Sequence, residues 1–197
     1  MTSVSETLAP GLLIAPPSLL DPNFVRSVVM LAVHNDGGAL GFVINRAGTL
    51  SVGELMAMAG YGDGLKRHES PILIGGPVQP SSVWILAHDP VARASRGDVL
   101  EVGEHLFVTS SRPALDDLAK VLDGGDPDPM RRLLLAGYSG WAPGQLEAEI
   151  AAGAWLPVAL DEDIVLDSDL EAKWERAYAL QGLTPASVIN MRGGGEA

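Results

Sequence analysis

Residues 131–158 read RRLLLAGYSGWAPGQLEAEIAAGAWLPV: strand, glycine-rich loop, helix, strand. Leu133, Leu134 and Leu135 form a short apolar run behind Arg131 and Arg132. Stopped by Gly137, that run fits a buried strand better than a helix. Gly137, Gly140 and Gly144 punctuate the next eight residues and predict backbone at unusual φ or in close approach to a neighbour. Pro143 suits the first turn of a helix, where its missing N–H costs nothing. Leu146 and Ile150 are four apart and share the buried face. Gln145 and Glu149 share one flank, and Glu147 lies on the other. Gly153 stops the helix. Trp155, Leu156 and Val158 read as a strand that Pro157 marks as an edge or a bend.

Two readings of this loop stand side by side. In one it is a site, with a helix N-terminus offering free N–H groups to an anion. Glu147 and Glu149 speak against an anionic ligand. In the other it is a crossover in which the glycines allow tight packing, Trp141 fills the core, and Gln145 and Glu147 satisfy first-turn N–H groups. A hydrolase elbow would read G-x-S-x-G, whereas Gly137-Tyr138-Ser139-Gly140-Trp141 reads G-x-S-G-x. All four histidines, His34, His68, His88 and His105, precede Ser139, which is not the order of that fold.

Working outward, the strongest local signal is a β-hairpin. Val28–Val33 and Ala39–Ile44 flank Asn35-Asp36-Gly37-Gly38. The first arm is apolar on both faces and should be a covered, central strand. On the second arm Leu40, Phe42 and Ile44 share one face, and Gly41 on the other marks a close packing contact. Gly11–Ala15 reads as a strand ended by Pro16-Pro17, and Asp21-Pro22-Asn23 as a turn. Ser51-Val52-Gly53-Glu54 is a capping box opening a helix to about Ala59. Ile72–Ile74 and Val83–His88 read as strands, with Gly75-Gly76-Pro77-Val78-Gln79-Pro80 between them. Val99–Val102 and His105–Thr109 are two more. Ser111 caps a helix carrying Leu115, Leu118, Ala119 and Leu122. Residues 161–169 are acidic and partly loop, and Asp167 or Ser168 should cap a last helix with Leu170, Trp174, Ala177 and Tyr178 buried. No repeat or linker is visible. The organisation expected is a flexible N-terminus at 1–10, one domain at 11–183 and a tail at 184–197.

Composition bounds the chemistry. Hydrophobic residues make up 47% of 197, enough for a substantial core. The net charge of -12 is uneven: residues 98–197 hold 18 acids and 7 bases, and residues 1–97 hold 7 and 6. Such a surface repels nucleic acid and anionic membrane. The absence of cysteine excludes disulfides, thiol catalysis and thiolate metal sites. No signal peptide and no apolar run of spanning length are seen, so a soluble cytoplasmic protein is expected. Dinucleotide, P-loop and zinc-protease motifs are missing. Asp161, Glu162 and Asp163 lack EF-hand spacing and read as a solvated loop. No metal and no cofactor is therefore expected.

Four stretches together resemble the YqgE/AlgH family of small bacterial proteins: GLLIAPPSLLDPNFVRSVVMLAVHNDGGALGFVINR (11–46), ILIGGPVQ (72–79), the strand ending at His88, and GYSGWAPGQLEAEI (137–150) with Trp155. The resemblance runs from Gly11 to about Leu183. One departure is Ala47, after Asn45-Arg46, where the family usually has a proline. The resemblance implies an α+β fold, a single compact domain with a strongly bent, bifurcated mixed sheet approaching a barrel. The segments above add about four flanking helices. It implies no catalytic residues, because the family has no agreed activity. Its AlgH label carries a role in transcriptional regulation.

The expectation is a non-enzymatic regulatory protein that binds an unidentified protein or small molecule, with no direct binding of duplex DNA and no membrane partner. The candidate surface is the set of strand-end loops holding Asn45, then Gly75, Gly76, Pro77 and Gln79, then Trp141, Gly144 and Gln145. Two alternatives are kept. One is an enzyme for a small substrate using Ser139, His34 or His88 near those loops. The other is a nucleic-acid regulator, which would need a basic groove.

Overall fold

The computed structural model describes residues 7–88, 99–124 and 132–188. In chain order the elements are β1 (Gly11–Ile14), β2 (Val28–Asn35), β3 (Gly38–Val43), β4 (Ala47–Ser51), α1 (Val52–Met56), a π-helical turn (Ala57–Tyr61), a 3-10 turn (Asp63–Arg67), β5 (Pro71–Ile74) and β6 (Val78–His88). There follow β7 (Val99–Val102), β8 (Leu106–Thr109), α2 (Arg112–Asp123), β9 (Arg132–Trp141), α3 (Gln145–Ala151), β10 (Leu156–Ala159), α4 (Glu162–Leu166) and α5 (Ala172–Ala179). The fold is mixed α+β. The chain divides into two compact units, one from Arg46 to Tyr138, the other from the segments before and after it.

In the outer-segment unit, β10, β1, β2, β3 and the end of β9 pair antiparallel in that order. The expected hairpin forms, with Val29 facing Val43 and Asn35 facing Gly38. Asp36 and Gly37 make the turn, and the Asn35 side chain accepts from the Gly37 N–H at 2.8 Å. Val28 to Leu31 are fully buried, as apolarity on both faces requires. The neighbour that Gly41 accommodates is β2 itself, since a Cβ there would lie 2.8 Å from the Met30 carbonyl. Leu13, Val29, Leu31, Val43, Trp141, Leu146 and Trp155 share this core. As Pro157 predicts, β10 is an edge strand, paired among the described residues with β1 alone.

The Arg46–Tyr138 unit pairs β9 antiparallel with β6, β6 with β8, and β8 with β7. The other edge of β9 carries β5, in parallel, with Leu73 facing Leu135, and β5 in turn carries β4. That fork makes the sheet mixed. The capping box forms fully: Ser51 Oγ accepts from the Glu54 N–H, and Glu54 reaches back to the Ser51 N–H. Ser111 caps α2 through the Ala114 N–H. The buried side of α2, Ala114, Leu118, Ala119 and Leu122, packs with Met56, Ile85, Phe107 and Leu134.

Several expectations are corrected. Gly137 does not stop the strand: β9 runs through it to Trp141. Opposite it, β6 bulges, with Val78 facing Tyr138 and Val83 facing Ala136. Gly137 has φ +69, and a Cβ there would sit 2.5 Å from the Gly76 carbonyl oxygen. The glycine thus lets β9 pass the bulge. Accordingly β6 starts at Val78, not Val83. The acidic segment holds a short helix, α4, which Asp161 caps through the Ile164 N–H at 3.0 Å. The N–H of Ala172, first residue of α5, is taken by Asp169, not by Asp167 or Ser168. Residues 185–188 form a helical turn; the rest of the expected tail, and residues 1–6 of the expected N-terminus, lie outside the described residues.

Candidate functional site

The glycine loop after β9 folds as a closed arch. Pro143 and Gly144 are the central residues of a turn closed by the Gln145 N–H donating to the Ala142 carbonyl at 3.0 Å. Gly144 at φ 75, ψ -6 makes it type II, which needs glycine at that place. Pro143 therefore sets the turn and does not enter the helix. At the far end of α3, the Ala154 N–H reaches the Glu149 carbonyl and the Gly153 N–H that of Ile150, the paired bonds of a Schellman stop.

The side chains of the arch satisfy one another. Gln145 Oε1 accepts from the Ala142 N–H at 3.0 Å, and Gln145 Nε2 donates to Glu149 Oε1 at 2.8 Å. Glu149 Oε2 accepts from both the Trp141 and the Trp155 indole N–H, each at 2.8 Å. Trp141 and Trp155 are buried and meet edge to face with centroids 6.0 Å apart; Phe24 stands against Trp155 in the same way. The two indoles, the Gln145 amide and the Ala142 N–H are all met within the arch, which favours the packing reading. Burial of two indoles gives Glu149 its work; the sequence shows the flank it shares with Gln145 but carries no signal for the indoles.

On the other flank, Glu147 Oε1 lies 3.0 Å from His34 Nε2, and His34 Nδ1 accepts from the Leu8 N–H at 3.1 Å. An accepting Nδ1 carries no proton, so the neutral ring donates from Nε2. Both nitrogens are thus engaged. The Glu147 carboxyl lies below the ordinary carboxylate range, held there first by its own backbone N–H and next by His34. Ser139 is buried within β9, paired across to Gly41, and not presented on an elbow.

Asn45 is structural: its Oδ1 accepts from the Val28 N–H and its Nδ2 donates to the Arg26 carbonyl, both at 2.9 Å. Around it lies a centre that sequence reasoning missed. Lys173 is fully buried, and its Nζ donates to the Ile44 carbonyl at 3.0 Å and to that of Val165 at 2.7 Å. Burial pulls its pKa down to about 8. Trp174 donates its indole N–H to the Ala15 carbonyl at 2.8 Å, and the Arg26 guanidinium sits 4.7 Å from the Trp174 ring centroid. The signal was present: Lys173 is three residues after Leu170 and four before Ala177, on the buried stripe.

In the Arg46–Tyr138 unit, Gly75 and Gly76 are buried, while Pro77 and Gln79 are exposed. The Gly75 N–H donates to the Ala136 carbonyl at 2.8 Å, and Gln79, at φ 45, offers its carbonyl to Ser82 Oγ at 2.8 Å. His88 ends β6, its ring 5.5 Å from that of His105. Of the expected residues, then, Trp141, Gly144 and Gln145 share the arch, Gly75, Gly76 and Pro77 lie on one loop with Gln79 just inside β6, and Asn45 belongs to the lysine centre.

An open groove not foreseen from the sequence lies beside α1. Leu50, Glu54, Ala57, Met58, Asp63 and Lys66 line a cavity of about 420 Å³. Met58 is 75% exposed. The Asp63 carboxylate pairs with Lys66 Nζ at 2.8 Å, lowering the pKa of one and raising that of the other. Packing behind the groove is tight, since a Cβ on Gly53 would meet the Leu65 carbonyl oxygen at 2.2 Å.

Comparison with known proteins gives one answer at several levels. The AlgH-like family model (DUF179) matches residues 12–186. A UPF0301 protein of Anaeromyxobacter dehalogenans is 43% identical over 195 residues, with 96% of each chain covered. One of Myxococcus xanthus is 40% identical over 188 residues, covering 95% of this chain and 98% of its own. The solution structure of the AlgH protein from Pseudomonas aeruginosa superposes with a TM-score of 0.75 at 32% identity, over 100% of this chain and 98% of that one. No helix among the described residues is long and apolar enough to cross a membrane. The stretches at 11–46, 72–79 and 137–150 thus carry more than a likeness: the chain belongs to the AlgH-like, UPF0301 family.

Proposed function

We propose that this protein works in the cytoplasm by binding a partner, not by catalysis, and that any effect on transcription passes through that partner. The observation that carries this reading is the groove beside α1, with Met58 75% exposed at its edge. A thioether on an unbranched chain adapts to different apolar partners. The engagement of both His34 nitrogens and the burial of Ser139 support it from the other side. The exposed parts of the strand-end loops, Pro77, Gln79, Gly144 and Gln145, are the second surface the reading offers.

The test compares wild type with Met58→Glu in affinity capture from native lysate, with retained small molecules identified. The expected result is a stoichiometric species held by wild type and lost by the variant at unchanged melting temperature. Equal capture by both proteins would remove the groove from the reading. Turnover of a small substrate by the pure protein, with no captured species, would replace binding by catalysis.

A further inference from the structure

Residues 7 and 8 are tied to β2 at a single residue, His34, one bond going to its ring and the other to its backbone. The Leu8 N–H donates to His34 Nδ1 at 3.1 Å, and Thr7 Oγ1 donates to the His34 carbonyl at 3.1 Å. The leucine side chain packs on the cluster that holds Trp141, Leu146 and Trp155. The strap fits closely, since a Cβ on Gly11 would lie 2.4 Å from the Leu8 carbonyl oxygen. The His34 side chain is 4% exposed, and its Nε2 faces Glu147 at 3.0 Å.

We propose that His34 is a proton-gated latch, whose protonation at Nδ1 releases the Thr7–Leu8 strap and uncovers an apolar surface beside Trp141 and Trp155. The two partners of the ring make different demands on Nδ1. The Leu8 N–H needs an unprotonated Nδ1, so the tied strap favours the neutral ring. The Glu147 carboxylate accepts from Nε2 whether or not Nδ1 carries a proton. Because the Glu147 carboxyl lies below its ordinary range, it is still a carboxylate where imidazoles take up protons. A protonated Nδ1 puts two N–H groups head to head, and the strap is the partner that gives way, against the Thr7 bond to the His34 carbonyl and the packing of Leu8. Among the described residues near the ring, Glu149, the second acid of α3, is committed to the two indoles. Ala39, opposite His34 on β3, carries no charge, and Asp36 lies two residues on in the turn. Thr7, Leu8, Ala9 and Pro10 bring no titratable side chain. The inference stands apart from the groove beside α1 and does not depend on it.

The test is amide hydrogen exchange of the full-length chain at about pH 7.5 and about pH 5, the range over which imidazoles change charge. Rates are corrected for the intrinsic pH dependence of exchange, and the Leu31 amide in β2 serves as the internal reference. In wild type, protection of the Leu8 amide should fall by about tenfold or more on acidification while Leu31 keeps its own. His34→Asn, which places an oxygen near the Nδ1 position and cannot titrate, should protect Leu8 equally at both pH values. Equal protection of Leu8 at both pH values in wild type would overturn the latch. So would the same loss in His34→Asn, which would assign it to another group. If that variant does not fold, wild type alone decides: the midpoint of the His34 ring titration by NMR must coincide with the midpoint of Leu8 release, and separated midpoints would refute the proposal.

Discussion

The Trp141 indole N–H donates to Glu149 Oε2 at 2.8 Å, tying the end of a strand to the second turn of the helix that follows it. The same oxygen takes the Trp155 N–H at 2.8 Å, so one carboxylate satisfies two buried indoles. Replacing Glu149 by alanine leaves both donors without their acceptor. Each orphaned buried donor costs about 1–3 kcal/mol, so Glu149→Ala should destabilise by roughly 2 kcal/mol or more. Gln145→Ala, on an exposed residue, should cost about 1 kcal/mol or less. Equal denaturation midpoints for the two variants would contradict this assignment.

Trp141 itself is buried among Leu13, Val29 and Leu146. Trp141→Ala empties a large aromatic site and should destabilise by about 3 kcal/mol or more in urea unfolding. An unchanged midpoint would make Trp141 a surface residue.

Two glycines of one stretch should behave differently. Gly137→Ala meets the Gly76 carbonyl oxygen at 2.5 Å and also strains a φ of +69. Gly144→Ala keeps a similar φ, +75, with open space around its Cβ. The second should cost about 1 kcal/mol, the scale of local strain, and the first at least about twice that. Thermal melts of both variants check the order, and a reversed order would refute the close approach.

What the sequence reveals and conceals divides along physical lines. The hairpin, the capping box at Ser51 and the stop at Gly153 are local: each is set by residues a few positions apart, and each formed as expected. Gly137 misled because its cause is the bulge between Val78 and Val83, far off in sequence. Pro143 misled because first-turn and type II positions ask the same φ of proline. The candidate surface was only partly legible. Asn45, Gly75, Gly76 and Trp141 carry the structural contacts described above, while Met58 looks in sequence like any core methionine.

The buried amine offers a test by pH. The folded pKa of Lys173 is pulled by burial from 10.5 to about 8. Below about pH 8 the lysine is protonated folded and unfolded alike, and the folded state bears the full cost of the buried charge. Between the two values the unfolded chain binds more protons, so this group makes stability rise with pH. The whole rise is on the order of 3 kcal/mol at 1.36 kcal/mol per unit. Urea midpoints measured from neutrality to about pH 10 should show the upward contribution in wild type and lose it in Lys173→Met. Identical slopes would show that Lys173 does not titrate early.

Direct DNA binding should be absent. Duplex affinity rests on Lys and Arg neutralising phosphates, and this chain sets 13 such residues against 25 acids. The pure protein at micromolar concentration should retain no duplex at physiological salt. Salt-sensitive, sequence-selective retention would contradict that and favour a direct nucleic-acid regulator.

The division of the chain sets an order of events during synthesis. The unit from Arg46 to Tyr138 is continuous, so it emerges from the ribosome in one piece. The other unit is begun before it and finished after it: Leu40 waits for Gly140, and Gly11 waits for Ala159. At 5–20 residues per second, the early three-stranded set β1–β2–β3 spends roughly 5–20 s with both outer edges, those of β1 and β3, unpaired. Bare strand edges template pairing with other chains. The run Val28–Leu31, wholly buried at the end, is therefore what nascent-chain chaperones meet uncovered at the beginning.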